Sequence, residues 1–171
     1  MVKVGSWDKG VDYQTIYNSL VWRIRREKNP KRKAYYAILL IQLRNGLRIS
    51  EAVRAYKEWL KTGNKEIEVK VSKKKKEETR LVIIPDELDP SAKLWELQMV
   101  EDKKLIKRLK MFAIRKLNIN THSLRYAYIT MLLRNGVNPS IIAKITKHSK
   151  LDFILTYTQQ KEAERILREM G

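Results

Sequence analysis

KAYYAILLIQLRN, residues 33–45, restricts the fold of this chain more than any other stretch. It is apolar nearly all the way round a helix, so a helix here is buried, and Gly46 fits its C-cap. Before it, Ile16, Leu20 and Ile24 recur on one face of a helix that starts near Asp12, and the basic run RREKNPKRK ends that helix at Pro30. After it, ISEAVRAYKEWLKTG predicts a third helix with Ser50 as N-cap and Gly63 as stop. The pattern then changes. KEIEVKV alternates polar and apolar residues, as does part of TRLVIIP, with SKKKKEE between them, which predicts a β-hairpin with a basic tip.

Pro85 and Pro90 punctuate the exit from the hairpin, and residues 91–117 return to helical spacing. Thr121 or Ser123 opens a helix containing Arg125 through Leu133, and Asn138-Pro139-Ser140 starts the short helix IIAKITKH. QQKEAERILREM forms a short amphipathic helix at the end. LRNGL and LLRNGV look alike, but both are Gly-capped ends of apolar helices, so shared capping chemistry explains them. The expected architecture is mainly α with a small antiparallel β-hairpin, an α+β class, in one domain over residues 12–171. Residues 1–11 read as a leader or linker stub.

Charge narrows the partners. Against 37 Lys and Arg stand 19 Asp and Glu, a formal net charge of +18. Such an excess favours a polyanion, usually double-stranded DNA, because each phosphate neutralised releases counterions. The sequence has no run long enough to span a membrane, no lipidation motif and no signal-peptide core at MVKVGSWDKG, so no membrane partner is expected. With no cysteine, disulfides, thiolate nucleophiles and cysteine metal sites are excluded, which suits a reducing, cytoplasmic setting on DNA. Two histidines are too few for most zinc sites, and no cofactor or metal is expected.

Several residues could carry chemistry, and each alone also has an ordinary reading. Arg48 follows the Gly46 cap on a fixed backbone and could give a phosphate two parallel hydrogen bonds, or be a surface arginine. Glu51, three residues on, could orient it. Lys73, Lys74, Lys75 and Lys76 form the hairpin tip: a solvated turn touching DNA phosphate, or one lysine of the four reaching a site as proton donor. His122 and Arg125 share a helix face at a helix N-terminus, where the dipole favours an anion; the alternative is a helix start bearing a stray imidazole. His148 and Tyr157 follow. A phenol attacks only where cations stabilise its phenolate and a base lies nearby; otherwise a tyrosine is core or interface.

Taken in order, these residues resemble the catalytic domain of the tyrosine recombinases, the phage-integrase and Xer-type family. NGLRISEAV resembles the first arginine motif, with Arg48 and Glu51. VSKKKKEETRLVIIP resembles the strand pair that carries the family lysine, aligned at Lys73 with Lys74 as second choice. THSLRYAYITMLLRNGV resembles the His-x-x-Arg motif, giving His122 and Arg125. TKHSKLDFILTYTQ resembles the closing segment, with His148 and Tyr157. Two positions depart from the pattern: Tyr126 stands where the family often has histidine, and Lys147 where it usually has glycine. A lysine there calls for ordinary helical backbone, which glycine does not need.

The resemblance implies a DNA strand transferase working without metal or ATP through a 3′-phosphotyrosyl intermediate, hence recombination or integration. Tyr157 would be nucleophile, Arg48 and Arg125 would hold the non-bridging oxygens, His122 would accept the tyrosine proton, Lys73 would protonate the leaving 5′ oxygen, and His148 would hydrogen-bond the phosphate. It also implies a homotetramer on DNA, with a monomer when free, and an N-terminal core-binding domain that this sequence lacks. Two other readings share the residues: a type IB topoisomerase-like enzyme that only relaxes supercoils, and a non-catalytic basic DNA-binding module.

Overall fold

The computed structural model describes residues 11–71, 77–148 and 152–170, with side chains in the last segment at positions 156, 159, 160 and 162–170. Helix α1 (Tyr13–Arg26) starts where the Asp12 carboxylate accepts from the Thr15 backbone N–H at 2.9 Å. Helix α2 (Pro30–Asn45) starts on the Asn29 carboxamide with Pro30 in its first turn, and stops at Gly46 in the left-handed region, φ 63°. Residues 34 to 43 of α2 are all buried, as the apolar circumference predicts. It is the central post of the fold.

Around α2 pack α1, through Leu20 and Ile24, and α3 (Ile49–Thr62), through Ala52, Val53, Tyr56 and Trp59. Strands β1 (Glu66–Lys70) and β2 (Thr79–Ile83) pair antiparallel, with Ile67 opposite Val82 and Val69 opposite Arg80. Their inward face is thus Ile67, Val69, Val82 and, unexpectedly, an arginine. The tip lysines Lys73, Lys74, Lys75 and Lys76 lie outside the described residues.

Downstream of the hairpin the continuous helical spacing breaks up. Pro90–Ala92 and Trp95–Met99 are short 3₁₀ turns, and α4 (Asp102–Leu117) starts only at Asp102. The cause is tertiary. Tyr56 Oη donates to the Ala92 carbonyl at 2.7 Å and accepts from the Leu94 N–H at 2.9 Å; Lys57 Nζ donates to the Val100 carbonyl and to Asp102, both at 2.6 Å. These bonds from α3 fix a backbone that helical periodicity alone would have coiled. Beyond it, Phe112 of α4 meets Tyr35 and Tyr36 edge-on, at ring separations of 5.2 and 4.8 Å.

Helix α5 (His122–Arg134) packs on α2, α6 (Pro139–Thr146) joins it through Ile129 and Ile142, and α7 (Asp152–Met170) begins seven residues earlier than the amphipathic tail suggests. The fold is mainly helical with one small antiparallel sheet, in agreement with the periodicities. No described helix is long and apolar enough to cross a membrane.

Candidate functional site

Everything in the site hangs on the turn Asn45–Gly46–Leu47 between α2 and α3. Gly46 is required there twice over: its φ of 63° is left-handed, and a Cβ would sit 2.2 Å from the Tyr128 ring. The turn is tied to the start of α5 by Gln42, whose Nε2 donates to the carbonyls of Leu47 and Thr121 at 3.2 and 3.0 Å. Two remote stretches of chain, 45–48 and 121–125, are thereby held side by side.

Arg48 is the N-cap of α3, in extended backbone; Ser50 lies inside the helix instead of capping it. The cap is supplied by Glu51, whose Oε1 accepts from the Arg48 N–H at 3.0 Å while Oε2 pairs with Arg48 Nη1 at 3.1 Å. The carboxylate is fully buried, and Arg125 Nη1 lies 3.8 Å from Oε1. Glu51 therefore stands between two guanidiniums.

Arg125 is itself buried, 2% exposed. Its Nη1 donates to the Gly46 carbonyl at 2.6 Å and its Nη2 to the Thr146 carbonyl at 3.1 Å. The same Nη2 lies 3.1 Å from each ring nitrogen of His148. Burial first, and the neighbouring Arg48 second, pull its pKa down to about 9, while Glu51 works the other way. Below that pH it remains a cation. Thr146 Oγ1 gives its one proton to the Ile142 carbonyl at 2.9 Å, so its contact of 2.7 Å with His148 Nδ1 makes Nδ1 the donor. The His148 tautomer then leaves the Nε2 lone pair toward Arg125.

Lys147, just before His148, has φ 61° and ψ 32°. This corrects the expectation of helical backbone: lysine here adopts the left-handed conformation that glycine enters without strain. Its Nζ pairs with Glu78 at 3.3 Å, close to the start of β2.

His122 is the first residue of α5 and is exposed, its ring 6.3 Å from that of Tyr126. It shares the helix face with Arg125 but not its burial. Neither Thr121 nor Ser123 caps this helix with its side chain; the Asn120 carboxamide accepts from the Ser123 N–H at 3.0 Å and from its hydroxyl at 3.1 Å. Tyr157 belongs to α7, and its side chain lies outside the described part, as does Lys73. Among the described residues no cluster of three or more His, Asp or Glu could hold a metal.

Arg48, Glu51, Arg125 and His148 are thus brought together. Arg80 joins them without having been singled out by the sequence. Only 4% exposed, it donates from Nη2 to the Asn45 carbonyl at 2.6 Å. Asn45 in turn bonds both backbone groups of Ile83, each at 2.8 Å, fastening β2 to the turn. The available signal was phase: in TRLVI, Arg80 falls on the same face as Val82. Beside it a cleft of about 550 Å³ is lined by Arg44, Arg80, Lys144 and Lys147, with Glu68 the one acidic residue in its wall.

No protein-family model matches the chain, and no solved structure matches it. Relatives do. A protein of Acidianus two-tailed virus named as an integrase, ORF241, is 43% identical over 98% of this chain and 70% of its own length. An uncharacterized protein of Methanocaldococcus jannaschii is 35% identical over 98% of this chain and 90% of its own. A Sputnik virophage protein, V10, also named as an integrase, is 28% identical over 94% and 88%. The identity and coverage shared with the two-tailed virus protein place this chain in the same family: it belongs to the integrases.

Proposed function

We propose that the chain is the catalytic domain, over residues 12–171, of a tyrosine-type site-specific DNA recombinase or integrase acting on double-stranded DNA. The observation that carries this reading is convergence. Arg48, Glu51, Arg125 and His148 come from three separate segments, and all meet at one basic cluster beside a cationic cleft. The integrase-named relatives support DNA as substrate, and the net charge of +18 supports its binding.

In the proposed reaction Tyr157 Oη attacks a backbone phosphorus, forming the Oη–P bond as the P–O5′ bond breaks. His122 takes the phenol proton, and Lys73 gives a proton to the departing 5′ oxygen. Arg48 and Arg125 bind the non-bridging oxygens and stabilise their growing charge. Glu51 aims Arg48 by fixing both its backbone and its guanidinium. His148, held between the Thr146 hydroxyl and Arg125, hydrogen-bonds the phosphate beside that guanidinium. The phosphotyrosyl bond conserves the energy of the broken one, so a 5′ hydroxyl from another strand reverses the step without ATP. The exchange needs two duplexes, and a homotetramer on DNA assembled from free monomers supplies the protomers.

The test is covalent trapping in EDTA. Wild type and Tyr157→Phe are incubated with supercoiled DNA and nicked suicide duplexes, denatured, and assayed for protein-linked DNA. An adduct in wild type that is absent from Tyr157→Phe is expected. Binding with no adduct on any substrate would leave a non-catalytic DNA-binding module. Relaxation without recombinant products would leave a topoisomerase.

A further inference from the structure

Position 80 is an odd place for an arginine. The register sets it opposite Val69 on the inward face of the hairpin, where its neighbour in phase is the buried Val82. Positions 79 and 81, facing out, would have accepted a cation at no cost. Instead the guanidinium is buried, and two of its nitrogens, Nε and Nη1, have no hydrogen-bond partner. Burial depresses its pKa, Glu51 is the main charge that opposes this, and Arg48 repels it. Burying an incompletely paired cation is destabilising, and an unbranched apolar side chain would fill the same space without that penalty. What compensates is charge. Arg48 and Arg125 flank Glu51, and Arg80 lies near enough to feel its charge, so the cluster holds two positive charges in excess.

We infer that Arg80, which touches no reacting atom, is a positioning residue for phosphoryl transfer: it grips the turn that presents Arg48 and supplies positive charge matched to the transition state. This rests on the reading of the chain as a strand transferase. A phosphodiester in the ground state carries one negative charge. During in-line attack by Tyr157 the two non-bridging oxygens approach a charge of two, so an excess of two positive charges favours the transition state over the bound substrate. Arg80 contributes through the Asn45 carbonyl, which fixes the backbone leading into Arg48, and through its field across a low-dielectric interior.

The experiment compares wild type, Arg80→Met and Arg80→Lys in the full chain. Thermal melting is followed with and without added inorganic phosphate, alongside non-covalent duplex binding and single-turnover adduct formation at saturating nicked DNA. Arg80→Met is expected to melt no lower than wild type without phosphate, and to gain less from phosphate. It should bind duplex within about threefold of wild type, yet form adduct at least about tenfold more slowly; Arg80→Lys recovers part of that rate. An Arg80→Met that melts lower and forms adduct at the wild-type rate would overturn the inference and leave Arg80 as scaffold. If wild type itself forms no adduct, the strand-transferase reading fails on its own. The phosphate shift still decides on Arg80, since equal shifts in wild type and Arg80→Met reject its role as an anion-directed cation.

Discussion

Arg80 and Arg125 donate to consecutive carbonyls, those of Asn45 and Gly46, each at 2.6 Å. A helix ordinarily leaves its last carbonyls to water or a cap. At the end of α2 two side chains take that role, one from β2 and one from α5. Arg125→Lys keeps the charge but has no planar fork to span the Gly46 and Thr146 carbonyls. It is expected to lose about 2 kcal/mol or more of stability in urea titration, with adduct formation falling to background.

Glu51→Gln leaves the shape of the buried group nearly unchanged and removes its charge. Arg125 and Arg48 then face each other without the intervening carboxylate. Breaking a buried pair from one side costs about 3–5 kcal/mol, and guanidinium chloride titration should report a loss in that range.

Gly46→Ala combines left-handed backbone with a Cβ driven into the Tyr128 ring. A loss of about 2–4 kcal/mol is expected. In a Tyr128→Ala background the same substitution should cost about 1–3 kcal/mol less, since only the clash is relieved. Equal costs in the two backgrounds would show that backbone strain alone governs the position.

Most of the fold was legible because it is local. Helical spacing identified α1, α2 and α3, and alternation, full in the first strand and partial in the second, identified the hairpin. What failed was settled at a distance. The 3₁₀ turns at Pro90–Ala92 and Trp95–Met99 are held by Tyr56 and Lys57 from another helix. The cap of α3 is decided by where the turn releases the chain, which makes it Arg48 and not Ser50. In the site, the family resemblance nominated Arg48, Glu51, Arg125 and His148, each of which alone had an ordinary reading, and Arg80 was not singled out. Only the phase of β2 shows that it points inward. The backbone of Lys147 was misjudged because residue type states a preference, and the chain reversal into His148 outweighs it.

That reversal gives a further prediction. Lys147→Gly removes the left-handed strain, loses the ion pair with Glu78, and loosens the unfolded chain; the balance should stay within about 1 kcal/mol of wild type. Lys147→Val places a β-branched residue at φ 61° and should cost about 1–2 kcal/mol. The difference between their denaturation midpoints measures the strain at this residue.

At the other end, the Thr15 backbone N–H, followed by the Thr15 hydroxyl, holds the Asp12 carboxyl below its usual pKa of 3.8. A folded pKa below the unfolded one means that the unfolded chain binds more protons in the window between them. The cap's charged contribution is therefore complete above 3.8 and lost as pH falls through the folded value. Asp12→Ala should cost about 1 kcal/mol at neutral pH, and the gap between it and wild type should narrow in acid.

Because Arg80 and Arg125 read carbonyls and not side chains at positions 45 and 46, the turn between α2 and α3 is specified by its length as much as by its letters. One residue inserted between Gly46 and Arg48 would leave both arginines their acceptors yet lengthen the path from those carbonyls to the start of α3, which its buried face holds in place. Glu51 and Arg48 would stay bonded to each other but lose their set distance from Arg125. A homologue with an altered turn length should therefore be expected to keep its fold and lose the alignment of its arginines.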